Sequence, residues 1–307
     1  MSLIQLTERV YIYRGGVNFA IVKGDCRQLL LIDSGLDSGN ARKALRPFLE
    51  EGWSLGAIIN THSHSDHIGG NADLVKRTGC QVWAPARERP FILWPELEPL
   101  GLYGGAWPLP ALQVKFLQAQ PTPAVSELPP APCTFTLYGV KLEVIPVPGH
   151  SLEQVAISVD GVLIAADGLF QRDVIEKHPI IFLVNVADYG QSLDRLLSRP
   201  ERFILPGHGD LVDRETGGGD PLPDLVEANR AALQRLEGAI LDAVATERLS
   251  GEELLYRVVG ALGKQLESEP QYFLDRAAIS AHISYLVAGG RILVQYEGGR
   301  RFVTLAR

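Results

Sequence analysis

A chain of 307 residues with 46% hydrophobic and 21% charged residues has the apolar material for a sizeable core and lacks the polar bias of a disordered chain. Its formal net charge of −7 opposes tight binding to an anionic polymer, so nucleic acid is disfavoured as a partner and a small-molecule substrate is expected. No apolar run approaches the ~18 residues that span a bilayer, the N-terminus MSLIQLTERVYIY lacks an export signal, and Cys26, Cys80 and Cys133 form no CxxC pair; a cytoplasmic protein without membrane contact is expected.

Met1, Ser2 and Leu3 resemble a vector remnant and are set apart from the fold. From there VYIY, NFAIV and LLLID alternate with turns as short strands, ARKALRPFLEE has helical spacing despite Pro47, and AIIN returns to strand. The stretch THSHSDHIGG at 61–70 follows, then a helical segment NADLVKRTG with a glycine stop and a strand QVWAP. Residues 84–132 hold eleven of the twenty prolines together with Phe91, Trp94, Tyr103, Trp107 and Phe116, the composition of a lid, a binding loop or an interface. Strand patterns resume in TFTLYGVKLEVIPV and VAISVDGVLIAAD, followed by a helix at 190–198 and the strand RFILP. GGGDPLP at 217–223 reads as a linker, and beyond it the spacing predicts helices at 223–247, 251–262 and 275–288 before a hairpin, RILVQYEGGRRFVTL. Helix, helix, helix, hairpin is a winged-helix layout. Two domains are expected, 1–220 and 221–307.

In an extended segment alternate side chains share a face, so His62 and His64 can point at one metal ion while Asp66 and His67, at the start of the next helix, turn toward a neighbouring one. Four imidazole and carboxylate ligands within six residues suit zinc, manganese or iron and, without thiolates, point away from a structural zinc site. Further candidates stand beside glycines immediately after strand-like runs: His150 in PGHS, Asp167 in AADG and His208 in PGHG.

Through LIDSG, which contains Asp33, THSHSDHIGG, PGHS, AAD and PGHG, the chain resembles the metallo-β-lactamase superfamily over residues 1 to about 215. The resemblance implies a four-layered αββα sandwich, an α/β fold with the metals at one edge between two sheets, plus the smaller C-terminal helical, winged-helix-like domain. It implies that His62, His64 and His150 bind one ion and Asp66, His67 and His208 a second, with Asp167 bridging and Asp33 supporting the ligands from outside. Asp66 and Asp33 are accordingly the carboxylates expected to serve catalysis. Two divalent ions, zinc ahead of manganese or iron, about 3.5 to 4 Å apart would bring a shared water's pKa toward neutrality, which implies hydrolysis.

THSHSDHIGG is most like glyoxalase II and related thioesterases, and the aromatic insertion suits an ester, thioester or lactone with an apolar part. The alternative is a ribonuclease or phosphodiesterase, suggested by the winged-helix layout. Residues 221–307 hold ten Lys plus Arg and eleven Asp plus Glu, with only Arg291, Arg300 and Arg301 clustered, so packing, pocket shaping or a homodimer contact is favoured for that domain over nucleic acid. His178, between the Asp167 and His208 motifs, and Tyr103, in GLYGG, are candidate substrate contacts, whereas His282 is expected to pack or cap.

Overall fold

Strands whose residues are apolar on both faces need cover on both sides. In the computed structural model, which describes residues 2–216 and 218–306, two sheets provide that cover for one another and helices provide the rest. The readings that fall on Met1, Gly217 and Arg307 (the start of the vector remnant, the start of the linker and the end of the second domain) lie outside the described residues.

The first sheet follows chain order: β1 (Ser2–Gln5), β2 (Val10–Arg14), β3 (Phe19–Lys23), β4 (Gln28–Ile32), β5 (Ser54–Ile59), β6 (Gln81–Ala84) and β7 (Ser126–Glu127). Ser2 and Leu3, set apart in the sequence, belong to it, because Ser2 pairs with Arg14 and Leu3 with Tyr13. The second sheet comprises β8 (Cys133–Leu137), β9 (Val140–Pro146), β10 (Val155–Val159), β11 (Val162–Ala166), β12 (Phe203–Pro206) and β13 (Val212–Asp213), ordered β13-β12-β11-β10-β9-β8.

The period of two assigns each side chain to a layer. Leu30 and Ile32 of β4 meet Val144, Ile157 and Ile164 between the sheets. Leu29 and Leu31 face outward onto Ala44, Leu45 and Phe48 of α1 (Ser38–Glu50) and Leu74 of α3 (Asn71–Thr78). On the far side, Ala156, Leu163 and Ile204 pack against Tyr189, Leu193 and Leu196 of α7 (Val186–Leu197) and Val226 of α8 (Leu222–Ala243). The result is the four-layered αββα sandwich that the resemblance implies.

Between the strand ends lie the single turn α2 (Ser65–Ile68), the helices α4 (Arg89–Leu93) and α5 (Leu97–Leu102) of the proline-rich segment, and α6 (Arg172–Lys177). After α8 come β14 (Leu249–Ser250), α9 (Gly251–Ala261), α10 (Glu269–Ala288), β15 (Ile292–Glu297) and β16 (Arg300–Leu305), with a small sheet ordered β14-β16-β15. The expected helix order holds, and the two-residue β14 escaped the sequence reading. α10 begins six residues before the expected 275, because Ser268 caps it and Pro270 sits in its first turn, where no backbone N–H is required. Among the described residues no helix is long and apolar enough to cross a membrane.

Asn229 fastens α8 to the sandwich. Its Oδ1 accepts from Phe170 N at 3.1 Å and from the Tyr189 hydroxyl at 2.9 Å, while its Nδ2 donates to the carbonyls of Phe170 at 2.8 Å and Leu225 at 2.9 Å, all out of water. Asn229→Ala deprives four buried groups of their partner together. It is expected to lower the free energy of urea-induced unfolding by about 2–4 kcal/mol; a loss well under that range would mean the neighbouring groups find other partners.

Candidate metal centre

Every residue of the histidine and aspartate set follows a strand and projects from one edge of the sandwich. Asp33 follows β4, the segment from His62 to His67 follows β5, His150 lies between β9 and β10, Asp167 follows β11 and His208 follows β12. The edge is stitched across both sheets, since Val155 N donates to Thr61 O at 3.0 Å and Asn18 Nδ2 donates to the carbonyls of Pro206 at 3.0 Å and Gly209 at 2.9 Å. The backbone is left-handed at Asp33 (φ 62°) and Ala166 (φ 46°), and the β11–β12 register slips between Ile164 and Ala166. Such an irregularity re-aims the following side chain, here Asp167. Glycine is required beside two candidates: a methyl group on Gly149 would collide with Tyr189, and one on Gly207 with the Asp167 carboxylate.

Donor atoms of His62, His64 and His150 lie within 4.8 Å of one another, as do those of Asp66, His67 and His208. Asp167 stands between the two groups. Its Oδ1 is 3.2 Å from His67 Nε2, and its Oδ2 is 3.4 Å from His150 Nε2 and 3.6 Å from His208 Nε2. Asp66 Oδ2 is 3.2 Å from His208 Nε2.

Hydrogen bonds decide which imidazole nitrogen is bare. His67 Nδ1 donates to Asp33 Oδ2 at 2.9 Å, His150 Nδ1 to Phe182 O at 2.9 Å and His208 Nδ1 to Gly16 O at 2.8 Å. The Thr61 hydroxyl donates to Asp33 Oδ2 at 2.8 Å, so its oxygen is free to accept from His62 Nδ1 at 3.0 Å. The Nε2 atoms of His62, His67 and His150, together with Asp167 Oδ1, are left buried without a hydrogen-bond partner. Four unpartnered polar atoms converging out of water are costly unless a cation gathers them, so the donor set fits divalent metal ions. Asp33 also lies within 4.8 Å of the His62 and His67 donors, yet its carboxylate is already occupied, Oδ1 accepting from Thr61 N at 2.8 Å and Oδ2 from Thr61 and His67. It orients imidazoles instead of offering itself as a ligand.

The electrostatics agree. Burial pushes His62 well down, helped by the neighbouring imidazoles, and brings His150 to about 4. Burial also opposes charge on His67 and His208, but the carboxylates of Asp167 and Asp66 outweigh it, raising His67 well above the usual range and His208 to about 10. Protons held there by buried carboxylates occupy places that a metal cation would take with more charge.

Beside His64 opens a cleft of about 350 Å³. Phe91 and Leu97 of the proline-rich segment, Phe182 and Val184 before α7, and Arg276 and Ala277 of α10 contribute to its walls. The two residues expected to touch substrate are not among its lining: Tyr103 packs edge-on against Phe273, with ring centroids 5.3 Å apart, and His178 is exposed at the end of α6. His282 is buried in α10, where the apolar surroundings lower it to about 4, a packed neutral ring as expected.

A family model described as the metallo-beta-lactamase superfamily matches residues 12–208. Among curated proteins, the chain is 33% identical over 144 residues to a hydroxyacylglutathione hydrolase of Rhodopseudomonas palustris (45% of each chain). It is 28% identical over 191 residues to one of Xanthomonas euvesicatoria (62% of this chain, 59% of the relative). The chain thus spans only about half to three fifths of these relatives. Two solved structures share the fold over nearly all of the chain. A beta-lactamase domain protein from Burkholderia ambifaria has TM-score 0.75 at 17% identity, covering 99% of this chain and 94% of that one. A metallo-beta-lactamase family protein from Thermus thermophilus has TM-score 0.73 at 22% identity, covering 99% and 100%.

One residue that the sequence reading missed holds two of the histidine loops together. Glu88, 1% exposed, accepts from Ser63 N at 3.1 Å, the Ser63 hydroxyl at 2.5 Å, the Ser151 hydroxyl at 2.8 Å and Glu153 N at 2.7 Å. Ser63 separates His62 from His64, and Ser151 follows His150, so this one carboxylate sets the spacing of all three imidazoles. Glu88→Ala is expected to weaken metal binding by about 10–100-fold in a chelator-competition titration, with Glu88→Gln falling between it and the parent. Unchanged affinity in both variants would show that the loops hold their spacing without it.

Proposed function

The chain belongs to the metallo-β-lactamase superfamily, and from that premise we propose that it is a hydrolase dependent on two divalent metal ions, acting on the carbonyl of an ester, thioester or lactone. The observation that carries this reading is the convergence of the buried, unpartnered Nε2 atoms of His62, His67 and His150 and Oδ1 of Asp167. When bound, two divalent ions would bring the pKa of a water held between them toward neutrality and polarise the substrate's carbonyl oxygen.

In this reading His62, His64 and His150 hold one ion, Asp66, His67 and His208 hold the other, and Asp167 bridges them. The carboxylates of Asp66 and Asp167 offset part of the cationic charge, and Asp33 keeps the His67 lone pair aimed inward through its bond to Nδ1. Imidazole and carboxylate donors accept zinc, manganese or iron, and zinc is the ion we favour. Residues 1–220 form the catalytic domain, and residues 221–307 form a second, winged-helix-like domain whose α10 supplies part of the cleft wall. A thioester is the preferred member of the substrate class, supported by the hydroxyacylglutathione hydrolases among the relatives. The phosphodiesterase alternative is the weaker reading, because residues 221–307 carry no basic excess, ten Lys plus Arg against eleven Asp plus Glu, and of the three arginines clustered at the hairpin Arg291 is paired with Glu237 at 3.0 Å.

Elemental analysis of purified protein is expected to find about two metal equivalents per chain. On a panel of thioesters, lactones and phosphodiesters, turnover should appear with a carbonyl substrate and fall to background in His62→Ala, in Asp167→Ala and after chelation. Full activity in metal-free protein would overturn the reading.

A further inference from the structure

We propose that Arg276 is a specificity-determining residue and that the substrate entering the cleft carries an anionic group, a carboxylate or its equivalent, which the Arg276 guanidinium receives. This rests on the hydrolase reading above and adds a substrate chemistry to it.

The cleft is apolar along much of its wall and runs up to His64, so it leads to the proposed metal centre. Arg276 enters from α10, outside the family-matched segment of residues 12–208. Among the described residues it has no carboxylate within 4.0 Å. One N–H donates to Leu102 O at 3.2 Å, and the guanidinium carbon lies 4.6 Å from the Phe273 ring centroid and 5.8 Å from that of Tyr272. Guanidinium has five N–H donors in a rigid fork, so this stacking and single bond fix its plane while leaving donors for a ligand.

Neither acidic neighbour in the cleft takes up that cation. The Glu88 carboxylate is engaged by Ser63, Ser151 and the Glu153 amide. Glu98 has no side-chain hydrogen bond among the described residues, and burial together with the charges of Asp66 and Glu88 pushes its carboxyl well above the usual range. The cleft therefore presents one oriented cation with open donors beside an apolar wall, a combination that selects an acyl compound with an apolar stretch and a terminal anion.

The test uses metal-loaded full-length protein and three thioesters: S-butyryl-N-acetylcysteamine, which is neutral; S-succinyl-N-acetylcysteamine, anionic on the acyl side; and S-butyryl-3-mercaptopropionate, anionic on the thiol side. At least one anionic probe should exceed the neutral one in kcat/KM by about 10–100-fold, the range expected for a charge-assisted hydrogen bond, and which one it is assigns the side on which the anion lies. In Arg276→Ala that ratio should fall to near one, chiefly through KM, and Arg276→Lys should restore part of it. A ratio near one in the parent, or a ratio that survives Arg276→Ala, overturns the proposal. If the parent hydrolyses none of the three, the thioester preference is what fails; calorimetric binding of hexanesulfonate, a poor metal ligand, then decides about Arg276. Binding lost in Arg276→Ala upholds the anion site, and no binding to the parent overturns it.

Discussion

Four imidazoles at the sheet edge are each held by a hydrogen bond on the nitrogen that faces away from the centre, and the rest of the site depends on this arrangement. The acceptors come from separate parts of the chain: Thr61 after β5 for His62, Asp33 after β4 for His67, Phe182 before α7 for His150, and Gly16 between β2 and β3 for His208. Only a rigid double sheet holds four such acceptors in register. The left-handed conformations of Asp33 and Ala166 fit this view. Each costs on the order of 1–3 kcal/mol when isolated, and each persists because packing on both sides of the strand leaves no alternative.

The readable part of the site is local in sequence. His62, His64, Asp66 and His67 lie within one turn of chain, and the strand-then-glycine pattern marks His150, Asp167 and His208, so spacing and local conformation suffice to nominate them. The layers of the sandwich came with the family resemblance, and the local pattern agrees with them, since the unbroken apolar run of β4 needs cover on both faces and helical spacing in α1 declares its own. What the sequence concealed depends on contacts distant along the chain. Glu88 has no motif, and its role exists only because folding brings Ser63, Ser151 and Glu153 to it. Asn229 looks like any polar residue in a helix until Phe170 and Tyr189 surround it. Pro270 hid the true start of α10, because a proline in the first turn resembles a break.

His178 and Tyr103 stand apart from the cleft lining. Both drew notice from their position near ligand motifs or in a glycine-rich loop, and neither property controls where a side chain points. Tyr103 is drawn onto Phe273, part of the small cluster through which Leu112 and Leu117 bind the proline-rich segment to α10. The aromatics of that segment thus divide in two. Phe91 lines the cleft and Tyr103 secures the segment to the C-terminal helices, while Trp94, Trp107 and Phe116 remain 55%, 70% and 51% exposed.

The cleft and the histidine centre are nevertheless coupled, and Phe182 is where they meet. Its carbonyl fixes His150 Nδ1 at 2.9 Å, and its ring lies 5.6 Å from that of His64 while facing the cleft. The residue that faces the cleft thus also supplies the backbone oxygen that aims His150. Arg276 works from the other wall: its bond to Leu102 O ties α10 to α5, so the group proposed to recognise the substrate also keeps the two wall segments together. Wall composition can therefore change along α5 and α10 without touching the sheet edge, whereas a change at Phe182 reaches the imidazoles directly. The edge of the sandwich constrains the chemistry, and the added helices leave the choice of substrate free to vary.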